Sequence, residues 1–214
     1  MATRPFLIYG AGGHAREVLG LARVSLNMEP AVLLDDFNPC RTVSNIEVIT
    51  YADALTRFAG ADILIAVGDT PARKRLYLRA VSDGFTPLTL RAPGVWISSN
   101  ASVGRGSQIF FGTAISENVV IGENVIINFH CSLSHDVTIG DHCTLAPRVT
   151  CAGNVAIESG ATIGVGATII NGSAQKPLKI GKNAFIGAGS LVIADVAAET
   201  VVAGVPARPL KSRA

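Results

Sequence analysis

The sequence predicts two consecutive folds: a short α/β domain on a parallel sheet, then an all-β parallel helix of very short strands. Three observations lead there. In residues 1–92, apolar runs ending at glycine or acidic residues alternate with helical patterns. From residue 97 an aliphatic side chain recurs at every sixth position. The composition, 49% hydrophobic and 16% charged with 22 glycines in 214 residues, is too apolar for a disordered chain and too glycine-rich for a coiled coil.

The first apolar run, Phe6-Leu7-Ile8-Tyr9, ends at Gly10-Ala11-Gly12-Gly13. From His14 to Leu26, Val18, Leu19, Leu21 and Ala22 fall near helical spacing. A second run, Ala31 to Leu34, ends at Asp35-Asp36, and a third, Ile63 to Val67, ends at Gly68-Asp69. Residues 71–83 read as a further helix opened by Pro71. Strands apolar throughout are covered on both faces and belong to parallel sheets. In such sheets ligands sit at the C-terminal ends of the strands. There Gly10, Gly12, Gly13 and His14 fit a turn whose N–H groups approach a phosphate, the following helix start favouring negative charge. Asp35 and Asp36 sit where a carboxylate accepts hydrogen bonds from a ribose or base. A tight structural turn and two solvated loop acids account for the same residues. The run is GAGGHA rather than the full G-x-G-x-x-G, which argues against a complete dinucleotide domain.

In the second half, Ile97, Val103, Ile109, Ile115, Ile121, Ile127, Leu133, Ile139, Leu145, Cys151, Ile157, Ile163 and Ile169 stand six apart. The phase breaks over residues 171–179, a loop by its Gly, Ser and Pro, and resumes at Ile180, Ile186 and Val192. Small residues often follow four positions later, as at Val119, Val137, Ala161 and Ala167. The period suits a three-faced coil of eighteen residues, each face turning one aliphatic side chain inward and stacking about 4.8 Å from the next coil. Handedness does not follow from the period. Ile126, Val120 and Ile170 are placed on outer faces, an apolar surface that predicts an interface.

The charge balance excludes further classes. Residues 1–92 carry 10 basic and 9 acidic side chains and residues 93–214 carry 8 and 7, so no nucleic-acid partner is expected. The longest apolar stretches are too short for a membrane span, and the N-terminal run is too short for a signal peptide. The cytoplasm is the expected compartment. Cys40, Cys131, Cys143 and Cys151 form no CxxC pair. His130 and His135 are five apart, but two ligands do not make a zinc site, so no metal is expected.

Counting along the coil gives the candidate chemistry. His135 takes the third position of its hexad, and Gly153, eighteen residues on, takes the same position one coil higher. Glu117 lies eighteen residues back. A base (His135), a carboxylate to fix its tautomer (Asp136) and a glycine N–H for an oxyanion (Gly153) are the parts acyl transfer uses. Solvated corner histidines are the alternative for His130, His135 and His142 alike.

The hexads, GAGGHA after the first strand, Asp-Asp after the second, and SHDVTIG followed by CAGNV together resemble one branch of the hexapeptide-repeat acyltransferases. That branch holds sugar-nucleotide N-acetyltransferases of the bacillosamine and perosamine kind and proteins named as sialic acid O-acetyltransferases. The resemblance implies a Rossmann-like N-terminal domain over 1–92 that binds a nucleotide sugar. It also implies a left-handed β-helix over 93–214, with an external loop near 171–179 and a C-terminal closing segment. It implies a homotrimer, with acetyl-CoA as cosubstrate lying between subunits, and His135 as the catalytic base. Positions matching the CoA groove are Gly153, Gly164, Val165, Gly187, Ala188 and Arg208. Lys179, Lys182 and Lys211 are further candidates for its phosphates. Some relatives carry a second histidine nine positions after the first. That position is Thr144 here, and whether it or His142 contacts the acetyl group stays open. The expected reaction is N-acetylation of a nucleotide-linked amino sugar. O-acetylation of a sialic-acid-type sugar and a silent trimeric scaffold are the alternatives.

Overall fold

The computed structural model describes residues 4–210. The chain divides into two compact units, Met1–Arg91 and Ala92–Ala214.

The first unit is a six-stranded sheet, order β3-β4-β2-β1-β5-β6, built from β1 (Phe6–Tyr9), β2 (Val32–Leu34), β3 (Arg41–Val43), β4 (Ile46–Ile49), β5 (Asp62–Ile65) and β6 (Thr86–Pro87). All pairings are parallel except the β3–β4 hairpin. The three apolar strands read from the sequence are the three central ones. Leu7, Ile8, Leu34, Ile63 and Leu64 are fully buried, each worth roughly 1.5–3 kcal/mol over exposure. Helix α1 (Gly13–Leu26) buries Val18, Leu19, Leu21 and Ala22, the apolar positions noted in the sequence, and Ala15 as well. It ends at Asn27, which is left-handed (φ 53°). Helix α3 (Thr70–Ser82) starts at the Asp69 cap, whose carboxylate accepts the Ala72 N–H, with proline in its first turn.

Two elements were not expected. The hairpin turns on Ser44 and Asn45, both at positive φ, and α2 (Tyr51–Arg57) is capped by Thr50. Tyr51 places its ring in the core, stacked on Tyr9 at 5.2 Å between centroids, with the Arg79 guanidinium 4.0 Å over its face.

The second unit is a left-handed parallel β-helix. Three parallel sheets form its faces: face one from Trp96–Ile97 to Leu191–Val192, face two from Ser102–Val103 to Leu178–Ile180, and face three rising from Gln108–Ile109. Register is the predicted eighteen from Ile97 to Ile169, as in Leu133↔Cys151 and Ile139↔Ile157, and the inserted loop shifts the pairing beyond it, as in Ile157↔Ile180 and Ile169↔Val192. From Ile109 to Val192 the sixth-position residues are 0–3% exposed, including Cys151. Val119, Val125, Val137, Val149, Ala161 and Ala167 are fully buried at the corners. Of the three residues placed on outer faces, Val120 and Ile170 are exposed, whereas Ile126 is buried on face three beside the equally buried Gln108. The external loop ends two residues before the expected 179, because Leu178 already pairs with Val155.

From Gly106 to Gly166 each corner turns on one left-handed residue. Asn118, Asn124, His130, Asp136, His142, Arg148 and Asn154 all have φ between 54° and 63° and stand six apart. The corner explains the residue types, since asparagine, aspartate and glycine tolerate this conformation best. At the far end, Val201–Ala203 joins face three and Arg208–Pro209 folds back antiparallel onto it.

Candidate active site

At the corner between faces one and two, His135 Nδ1 lies 2.8 Å from Asp136 Oδ2. A carboxylate only accepts, so Nδ1 carries the proton and Nε2 presents its lone pair. The pair is half exposed, with side-chain exposures of 58% and 46%. Asp136 Oδ1 accepts from the Asn118 amide one coil below, at 3.1 Å. These bonds, His135 first and then Asn118, hold the Asp136 carboxyl below its ordinary range. Glu117 is also held low, by Ser98 and by Asn100, whose amide donates to it at 2.8 Å.

Gly153 stands one coil above His135, as the count of eighteen predicts. A Cβ at Gly153 would come within 2.5 Å of His135 Cε1, so only glycine lets the ring sit against this backbone. Base, carboxylate and glycine are therefore brought together.

Other candidates lie elsewhere on the coil. Nine residues is half a coil, so Thr144 falls on face three and His142 at the corner between faces two and three. Within one chain the structure does not bring either to His135. His142 is buried, its Nδ1 3.0 Å from the Asn124 amide. His130 lies at the third corner, against Gly112. Gly164, Val165, Gly187 and Ala188 stack on that third corner, and Arg208 lies on the closing strand beside Ala203. Lys179 is on face two and Lys182 at the next corner, while Lys211 lies outside the described residues. Among the described residues no group of three or more His, Cys, Asp or Glu is placed to hold a metal ion.

In the first unit a cavity of about 440 Å³ opens at the C-terminal ends of β1, β2 and β5. Gly10, Gly12, Gly13, His14, Asp35 and Asp36 all line it, together with Tyr9, Phe37 and Arg79, which sequence reasoning missed. Gly10 has φ 133° and its Cβ would stand 2.5 Å from the Ala66 carbonyl oxygen. Gly12 precedes α1 and supplies no side-chain cap to the helix start. His14 Nδ1 is 3.3 Å from Glu17. The two aspartates are already engaged. Asp35 accepts from the Phe37 and Asn38 N–H groups and from Arg41. Asp36 accepts from the Tyr9 hydroxyl and, at 2.7 Å, from the Tyr51 N–H. Burial and Asp36 push the Tyr9 hydroxyl pKa far up, keeping it a donor.

Comparison with known proteins agrees with both halves. Residues 6–80 match the PglD N-terminal domain model and residues 118–153 the bacterial transferase hexapeptide model. A search of curated proteins gave no match. WeeI from Acinetobacter baumannii is 33% identical over 97% of this chain and 100% of its own, with a TM-score of 0.93. A variant of perosamine N-acetyltransferase from Caulobacter crescentus, solved with CoA and GDP-perosamine, is 30% identical over 99% of both chains (TM-score 0.90). The acetyltransferase domain of PglB from Neisseria gonorrhoeae is 28% identical over 97% of this chain and 100% of that one (TM-score 0.87). An N-terminal α/β domain of the PglD type, a hexapeptide β-helix and whole-chain likeness to these enzymes make the conclusion plain: the chain belongs to the hexapeptide-repeat amino-sugar N-acetyltransferases.

Proposed function

We propose that the protein transfers the acetyl group of acetyl-CoA to the amine of a nucleotide-linked amino sugar, with His135 as general base. The observation that carries this is the His135–Asp136 pair, its Nδ1 fixed at 2.8 Å and its ring held against Gly153. The neutral amine attacks the thioester carbonyl; the C–N bond forms as the carbonyl electrons move onto oxygen, where the Gly153 N–H stabilises them. His135 Nε2 takes the proton the nitrogen loses. The C–S bond then breaks, and His135 returns the proton to the leaving sulfur, giving free CoA and an amide. Asp136 keeps the ring in the required tautomer and balances the imidazolium.

In the first unit, the start of α1 with Gly10, Gly12, Gly13 and His14 receives the diphosphate side of the substrate. Asp36 reaches the ribose or base through the acceptor sites left after Tyr9 and Tyr51, while Asp35 shapes the loop. CoA follows Gly153, Gly164, Val165, Gly187, Ala188 and Arg208, with His142 or Thr144 near the acetyl group. Because these positions occupy different corners of one helix, a single groove needs neighbouring subunits, and we read the assembly as a cytoplasmic homotrimer. Exposed Val165, Phe185 and Val201 supply apolar surface for it.

The test is a steady-state assay with acetyl-CoA and nucleotide-linked amino sugars. His135→Ala should lower kcat roughly 10²–10⁴-fold with little change in substrate KM. A variant turning over at the wild-type rate at neutral pH removes the base assignment.

A further inference from the structure

The corner that carries His135 contains a residue the reaction scheme leaves unused. Asn118 lies one coil below Asp136, at the same left-handed corner position, with φ 57° at both. Its amide donates to Asp136 Oδ1 at 3.1 Å, while Oδ2 of the same carboxylate holds His135 Nδ1 at 2.8 Å. The order of donors is unambiguous, since a carboxylate accepts at both oxygens. We propose that Asn118 is a positioning residue for acyl transfer: it locks the Asp136 carboxylate, and through it the ring of His135, so that Nε2 stays aimed at the incoming amine. This rests on the reading of His135 as the base.

A residue needed only for the corner would not have to reach the coil above, because glycine serves the same conformation at positions 160 and 166. The neighbouring corner gives the contrast. There the Asn124 amide lies 3.0 Å from the ring of buried His142, an interior contact between the same two coils. The Asn118–Asp136 bond is instead at the surface, where a hydrogen bond adds little to folding stability. What it does restrict is the carboxylate's rotation. With one oxygen tied below and the other tied to Nδ1, the carboxylate keeps one plane. The ionisable groups at this corner are His135, Asp136 and Glu117; Gly153 and Asn154 above are neutral.

The experiment compares Asn118→Gly, Asn118→Asp and His135→Ala with the wild type, measuring kcat and both KM values from pH 5.5 to 9 and the melting temperature. Glycine keeps the left-handed corner and deletes the amide. Aspartate is nearly isosteric and replaces the donor with a like charge. Asn118→Gly should lower kcat roughly 10- to 100-fold, the cost of misplacing a reacting group by up to about an ångström, with KM for acetyl-CoA and the melting temperature near wild type. In Asn118→Asp the added negative charge favours imidazolium, so the acid limb of the kcat profile should move to higher pH. If both Asn118 variants match the wild-type kcat and pH profile while His135→Ala is depressed, the positioning role is overturned and the base assignment survives. If His135→Ala is itself fully active, both fall.

Discussion

His135 and Gly153 stand one coil apart at the same corner, close enough that a Cβ at position 153 would meet Nε2 at 2.6 Å. Gly153→Ala should therefore displace the ring rather than the backbone. If His135 is the base as proposed, the expected result is a fall in kcat of roughly 10²-fold, the cost of displacing a reacting group by about an ångström, with the thermal transition close to wild type. A variant of unchanged kcat would mean that the ring and this backbone need not touch during turnover.

The two glycines of the first turn should behave differently. Gly10 is left-handed and packed on the Ala66 carbonyl, so Gly10→Ala should destabilise the first unit by about 1–3 kcal/mol in urea titrations. Gly12 has nothing within 4 Å of its Cβ direction but lines the cavity. Gly12→Ala should leave folding intact and raise KM for the nucleotide sugar several-fold, with KM for acetyl-CoA unchanged.

Asp36 is a structural acceptor within the first unit. Asp36→Ala strands the Tyr9 hydroxyl and the Tyr51 N–H and should cost about 1–3 kcal/mol of stability. Its effect on substrate KM is interpretable only beside that measurement. Chemical denaturation of the variant with and without substrate separates the two.

Alkaline pH offers a test of the coil interior. Burial raises Cys131 to about 11 and Cys151 to about 12. The unfolded chain ionises these thiols near pH 8.5, so above that the folded state binds more protons and stability falls as pH rises toward the folded values. Each thiol contributes a slope of up to about 1.4 kcal/mol per pH unit. Urea midpoints between pH 8 and 10.5 should decline less steeply for Cys151→Val than for the wild type.

Assembly is checked by light scattering, which should report three times the 22.2 kDa chain mass at micromolar concentration. If the exposed corner at Val165 lies at a subunit boundary as proposed, Val165→Lys should lower the mass and raise KM for acetyl-CoA.

The β-helix was legible because its period is a direct image of its geometry: one inward aliphatic per face fixed the register and placed Gly153 over His135 without coordinates. The central strands and both long helices of the first unit were legible for similar reasons. The β3–β4 hairpin and α2 were not, since their signals are local and small: Ser44-Asn45 at the turn, Thr50 with Asp53 at the cap. The cavity lining was half legible. Glycines and aspartates announced themselves, but Tyr9 and Arg79 reach it from within apolar and helical patterns that gave no reason to single them out. Asn118 was invisible because asparagine is the ordinary corner residue, and only its amide bond to Asp136 distinguishes it.

The regular left-handed corners carry a consequence for how chemistry can be installed on such a scaffold. Every sixth position already admits a restricted alphabet, chiefly Asn, Asp, Gly and His, some buried as Asn124 and His142 are and others exposed as Asn118 and Asp136 are, each beside its counterpart in the next turn of the winding. Exchanging asparagine for aspartate there adds a charge with almost no change in shape. A coil can thus acquire or surrender a hydrogen-bonded His–Asp pair such as His135–Asp136 by side-chain replacement at an exposed corner, with the backbone path left unchanged.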